Sequence, residues 1–99
     1  MNWYVLYTNP RSEIKAEQQL LSLGINAYCP KRSEIKIWSD RKKRIDRPIL
    51  PSMVLVKIID KDINRVFESS LVRRYMFWLG KRAVVRQSEI DILKKYLNG

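Results

Sequence analysis

Residues 47–59, Arg-Pro-Ile-Leu-Pro-Ser-Met-Val-Leu-Val-Lys-Ile-Ile, constrain the fold more than any other stretch. Pro48 and Pro51 fix their own φ angles and push the residues before them toward extended backbone. The apolar, proline-free run that follows reads as a strand buried on both faces, and therefore central in its sheet. A rigid entrance to a central strand leaves Ile49 and Leu50 on an elbow beside the sheet. A large apolar residue on such an elbow is either an edge of the core or a docking surface, and on this stretch alone the core edge is favoured.

The rest of the chain can be ordered around that strand. Trp3 to Thr8 is an aromatic and β-branched first strand. Asn9-Pro10 reads as a cap and first turn for a helix running to about Leu23, with Ala16, Leu20 and Leu23 on one face and Gly24 ending it. Ile25 to Pro30 reads as a short strand. Residues 31–47 hold eight cations (Lys31, Arg32, Lys36, Arg41, Lys42, Lys43, Arg44, Arg47) against Glu34, Asp40 and Asp46, a local excess of five. Ile35, Ile37 and Ile45 alternate with polar residues there, which predicts a β-ribbon turning near Ser39-Asp40. Beyond the central strand, Asp60-Lys61-Asp62 should cap a short helix carrying Ile63, Val66 and Phe67, closed by Ser69-Ser70. Arg74 to Leu79 reads as the last strand, stopped by Gly80. Ala83-Val84-Val85 then crosses to a final helix capped by Ser88, with Ile90, Leu93 and Leu97 on its buried face.

The expected class is therefore α+β, a ferredoxin-like β-α-β-β-α-β-α chain with a four-stranded antiparallel sheet flanked by helices. Ninety-nine residues suffice for one domain with a single modest core. Twenty basic against ten acidic residues give a net charge of +10, which predicts attraction to a polyanion. There is no histidine, and Cys29 is the only cysteine. With no Gly-rich phosphate loop either, the usual catalytic and metal-binding constellations are missing. We expect a non-enzymatic chain with no cofactor and no metal. No apolar run approaches the roughly 18–20 residues that span a bilayer, and residues 3–7 are too short for a secretory signal. A soluble, cytoplasmic monomer without membrane contacts is the expectation.

Charge alone leaves the ribbon open between a solvated edge that deters strand pairing and a nucleic-acid contact. Trp38, placed just before the cations, could stack on a base or merely cover the ribbon. For Arg11 and Lys15, read as one turn apart at the start of the first helix, spacing alone favours a solvated face. Tyr7, Leu50, Met53 and Leu79 fall at strand ends around the elbow, with core packing the simpler reading for Leu79. Trp3, Tyr4, Tyr75 and Trp78 are assigned to core and sheet packing.

Three motifs add a resemblance. Pro-Ile-Leu-Pro-Ser-Met-Val-Leu-Val at 48–56 resembles the Leu-Phe-Pro-x-Tyr-hydrophobic signature of NusG-type N-terminal domains. Trp3-Tyr4-Val5-Leu6-Tyr7-Thr8 resembles their first strand. Trp38-Ser39-Asp40-Arg41-Lys42-Lys43 resembles a motif of the specialised UpxY- and RfaH-like antiterminators. The chain departs from the pattern where Leu50 and Met53 replace Phe and Tyr, and where Val72-Arg73-Arg74 replaces Pro-Gly-Val. The resemblance implies that residues 1–99 form the N-terminal domain of an elongation and antitermination factor, without the KOW domain that usually follows. It implies an apolar patch of Tyr7, Leu50, Pro51, Met53 and Leu79 that docks on the clamp helices of the RNA polymerase β′ subunit. It also implies non-template or upstream DNA contacts from Arg11 and Lys15 and from the ribbon, where Lys31, Arg32, Trp38, Arg41, Lys42, Lys43 and Arg44 are the candidates. The rival is a free-standing RNA-binding domain of similar topology. Against it, Met53-Val54-Leu55-Val56 has no aromatic residue to stack bases.

Overall fold

Alternation along two neighbouring strands builds both cores of this molecule. The computed structural model describes residues 1–98. Strands β1 (Asn2–Thr8) and β5 (Met53–Ile58) pair antiparallel, with Val5 opposite Leu55 and Tyr7 opposite Met53. Tyr4, Leu6, Val54, Val56 and Ile58 point to one face, where helix α1 (Glu13–Ser22) and a 3₁₀ helix (Asp60–Glu68) supply Ala16, Leu20, Ile63 and Val66. Trp3, Val5 and Leu55 point to the other face and meet Ile90 of helix α2 (Gln87–Asn98). The central strand is thus buried on both sides, as the uninterrupted apolar run required.

The main sheet runs β2 (Asn26–Tyr28), β5, β1, β6 (Val72–Tyr75), every pairing antiparallel. The short strand β9 (Val84–Val85) adds a fifth member beside β6, pairing with the start of β1. The class is α+β with three helical segments, and the sheet is four strands across as expected, with β9 extending the edge that β6 occupies. Between β2 and β5 the chain leaves the sheet as a two-stranded ribbon, β3 (Lys31–Trp38) and β4 (Arg41–Pro48). Its two-residue turn places Ser39 at φ 40° and Asp40 at φ 73°, the left-handed pair that suits the sheet twist.

Three boundaries differ from the sequence reading. Helix α1 starts at Glu13 and not at Pro10, because Arg11 takes φ 59° and the Ser12 N–H bonds the Asn9 carbonyl at 3.2 Å, closing a turn first. The expected last strand breaks at Met76, whose N–H bonds the Val5 carbonyl. It then continues as a separate hairpin, β7 (Phe77–Trp78) and β8 (Lys81–Arg82). Helix α2 begins at Gln87, with the Arg86 carbonyl accepting the first helical bonds, so Ser88 lies inside it. Gly24 behaves as expected. Its φ of 80° lets the Ile25 N–H reach the Leu20 carbonyl and the Gly24 N–H the Leu21 carbonyl, which closes α1.

One buried carboxylate joins the ribbon to the body. Glu17 of α1 accepts the Cys29 backbone N–H and takes the Lys31 ammonium at 2.8 Å. Burial alone would lower the Lys31 pKa, but the Glu17 hydrogen bond and charge outweigh it and the pKa is raised. Burial, reinforced by Glu17, pushes the Cys29 thiol up to about 11, so it stays protonated. Glu17→Ala leaves the Cys29 amide buried without its acceptor and the Lys31 charge without its partner. A loss of about 3 kcal/mol is expected, read as a Tm lowered by more than roughly 10 °C. A Tm within about 2 °C of wild type would mean the ribbon is anchored by other contacts.

Candidate functional site

A single helix cannot cover one whole face of a five-stranded sheet, and the uncovered part forms an apolar groove. It has a volume of about 500 Å³ and is lined chiefly by Val5, Leu50, Met53, Met76, Ile92 and Tyr96. The proline elbow sets its rim. The Met53 N–H bonds the Leu50 carbonyl at 3.3 Å across Pro51-Ser52, with Ser52 at φ 57°. Proline followed by a left-handed residue is a type II turn. The Thr8 N–H holds the turn to β1 by bonding the Ser52 carbonyl at 2.8 Å. Leu50 and Met53 therefore belong to both alternatives. They pack half-buried against Trp3, Val5, Leu55 and Ile90, and their remaining surface faces the groove. Pro51 shapes the turn and is itself exposed.

The other two apolar candidates lie elsewhere. Tyr7 stands opposite Met53 in register, but its ring lies under the Arg74 guanidinium at 5.0 Å and lines a neighbouring hollow with Thr8, Pro10, Ser52 and Arg73. Leu79 is 86% exposed at the tip of the β7–β8 turn and does not line the groove. Trp78 beside it is 71% exposed, which corrects its assignment to packing. The strand ends at Met76, so Phe77, Trp78 and Leu79 leave the sheet. Trp3, Tyr4 and Tyr75 are buried as assigned.

Ile92 and Tyr96, 68% and 74% exposed, are groove residues that the sequence reading missed. Their signal was available. They sit at i and i+4 on α2, beside the Ile90, Leu93 and Leu97 stripe.

Register sorts the ribbon's cations onto two faces. Directly opposed residues share a face, so Arg32/Arg47, Glu34/Ile45, Lys36/Lys43 and Trp38/Arg41 lie together. On that face Arg47 pairs with Glu34 at 3.2 Å. Among the described residues, Arg32, Lys36, Arg41 and Lys43 have no ion-pair partner. Trp38, 64% exposed, borders a hollow with Arg41, Lys42, Lys43 and Ile45. The opposite face carries Lys31, held by Glu17, and Arg44, which donates to Ser33 and pairs with Asp46 at 3.7 Å. By register it also carries Lys42, which nonetheless lines the Trp38 hollow, and the exposed Ile35 and Ile37. Of the ribbon candidates, Arg32, Trp38, Arg41 and Lys43 thus share one surface, Lys36 joins them, and Lys31 and Arg44 are engaged within the fold.

Arg11 and Lys15 are both exposed, but they are not one helical turn apart, since Arg11 lies in the turn before α1. Arg73 and Arg74, exposed on β6, line the hollow that Pro10 and Tyr7 also line. That puts a second cationic surface beside the start of α1. Among the described residues, no helix is long and apolar enough to cross a membrane.

A protein-family model, NusG (transcription termination factor nusG), matches residues 1–94 of the chain. No curated protein matches it.

Proposed function

Since the chain belongs to the NusG family of transcription factors, we propose that residues 1–99 act as an N-terminal elongation and antitermination domain of the specialised UpxY- or RfaH-like kind. In this reading the groove takes an apolar helical surface of RNA polymerase, the β′ clamp helices, and the Trp38 face of the ribbon takes nearby non-template or upstream DNA. Bridging the two would hold the clamp closed and suppress pausing and termination. Its site of action is then the cytoplasm, where polymerase works.

The observation that carries this reading is the open apolar groove at the proline elbow, with Leu50 and Met53 on its wall. A groove lined by large apolar side chains fits an amphipathic helix laid along it. The unpaired cations beside Trp38 add a polyanion surface on a separate element. The RNA-binding alternative, a platform of aromatics on an open sheet face, is disfavoured. Both sheet faces are packed under helices near the centre, and the exposed tryptophans Trp38 and Trp78 lie on hairpins away from it.

The test is RNA chain growth through a defined pause on purified elongation complexes of the cognate polymerase, with and without saturating protein at moderate salt. Pause lifetime is expected to shorten. An unchanged lifetime, with polymerase binding shown in parallel, would rule out antipausing by this chain.

A further inference from the structure

We propose that the β7–β8 hairpin is a second nucleic-acid contact, in which Trp78 stacks on an unpaired base of a single strand and Lys81 meets its phosphate. This hairpin is separate from both the ribbon and the groove. Residues 69–88 hold Arg73, Arg74, Lys81, Arg82 and Arg86 and not one acidic residue, so the hairpin stands in a purely cationic stretch. Its register sets the two faces. Phe77 lies opposite Arg82, and Trp78 lies opposite Lys81. On the first face the Arg82 guanidinium is already placed over the Tyr75 and Phe77 rings, at 5.4 and 5.9 Å. On the second face, among the described residues, no cation lies over the Trp78 ring and no hydrogen bond uses its indole N–H. A free indole with a lysine across the strand from it is the pairing that sequence-tolerant single-strand binding uses.

The turn gives an independent reason to see function here. Leu79 takes φ 52° and Gly80 φ 79°, a conformation that favours asparagine or glycine at the first position. A leucine there is sterically costly, and its side chain is exposed, so it returns nothing to the core. Such an outlier points to a use for the tip beyond folding. The cationic surroundings favour a nucleic-acid strand over a protein.

The experiment uses Trp38→Phe, which leaves Trp78 as the one exposed tryptophan, since Trp3 is buried. Titration with oligo(dT) and oligo(U) is expected to quench Trp78 fluorescence, and the stronger quencher identifies DNA or RNA as the source. Duplex of equal length should quench weakly. Adding Trp78→Ala should weaken single-strand affinity at least about 5-fold, the lower end of one base–aromatic stack. Trp78→Phe should keep most of it, and neither change should alter the salt slope that the ribbon governs. Trp78 is exposed, so both variants should fold, with unchanged Tm as the check. Three results would each overturn the proposal: affinity of the alanine variant within about 2-fold of its parent, equal quenching by duplex, or a Trp78→Ala effect confined to polymerase binding. The last would make the hairpin a protein contact.

Discussion

Ile92→Asp combined with Tyr96→Asp is expected to abolish binding to core RNA polymerase while leaving the fold intact. Both side chains are mostly exposed in the free chain, so their replacement should change stability by no more than about 0.5 kcal/mol each. Once a partner helix covers the groove, two carboxylates would be trapped in an apolar interface without partners. Each such charge costs several kcal/mol, so affinity should fall by more than roughly 100-fold. The choice of residues matters. Leu50→Asp with Met53→Asp would also place charge on the groove, but both residues pack against Trp3, Val5, Leu55 and Ile90. Unfolding and loss of docking would then be indistinguishable. Titration against purified core polymerase, with thermal unfolding in parallel, decides the matter. Native Tm with undiminished binding would move the docking surface away from the groove.

The comparison between Leu50 and Leu79 shows what sequence could and could not say. Both are apolar residues next to Pro or Gly at a strand end, and both were candidates for one patch. Leu50 is fixed by a local device, Pro51 followed by a left-handed Ser52, and that device is legible in sequence. Leu79 depends on where the strand before it stops. Met76 ends the pairing with β1 through one backbone bond to Val5, a tertiary event without any proline or glycine to announce it. The central strand, the ribbon and its turn were legible for the first reason, since alternation and turn chemistry are local. The start of α1 was misplaced because Asn9-Pro10 makes a good helix signal that the left-handed Arg11 overrides. The groove has no motif of its own. It is the part of a sheet face that α2 fails to cover, so only the assembled layers reveal that Ile92 and Tyr96 line it. Arg73 and Arg74 are a further case. They were visible as a departure from the family pattern, but their place beside Tyr7 and Pro10 comes from the pairing of β6 with β1.

The ribbon should bind DNA with one face. If Arg32, Lys36, Arg41 and Lys43 each neutralise one phosphate, the log–log dependence of single-strand DNA affinity on salt includes about 0.7 per contact. Replacing all four by Ala should flatten that slope by roughly 3 units. The fold should tolerate the change, because none of the four is part of an ion pair among the described residues and all lie on strands projecting from the main sheet. Arg44→Ala provides the comparison on the other face, since Lys42 lines the Trp38 hollow. Arg44 is already tied to Ser33 and Asp46, so this change should flatten the slope by well under the roughly 0.7 of one phosphate contact. The contrast separates a binding face from bulk charge, which would make the effect scale only with the number of cations removed. Per-residue effects that are equal on the two faces would mean that Trp38's surface is not a site. No effect from either set would leave the ribbon a solvated edge whose lysines and arginines only deter pairing with another chain.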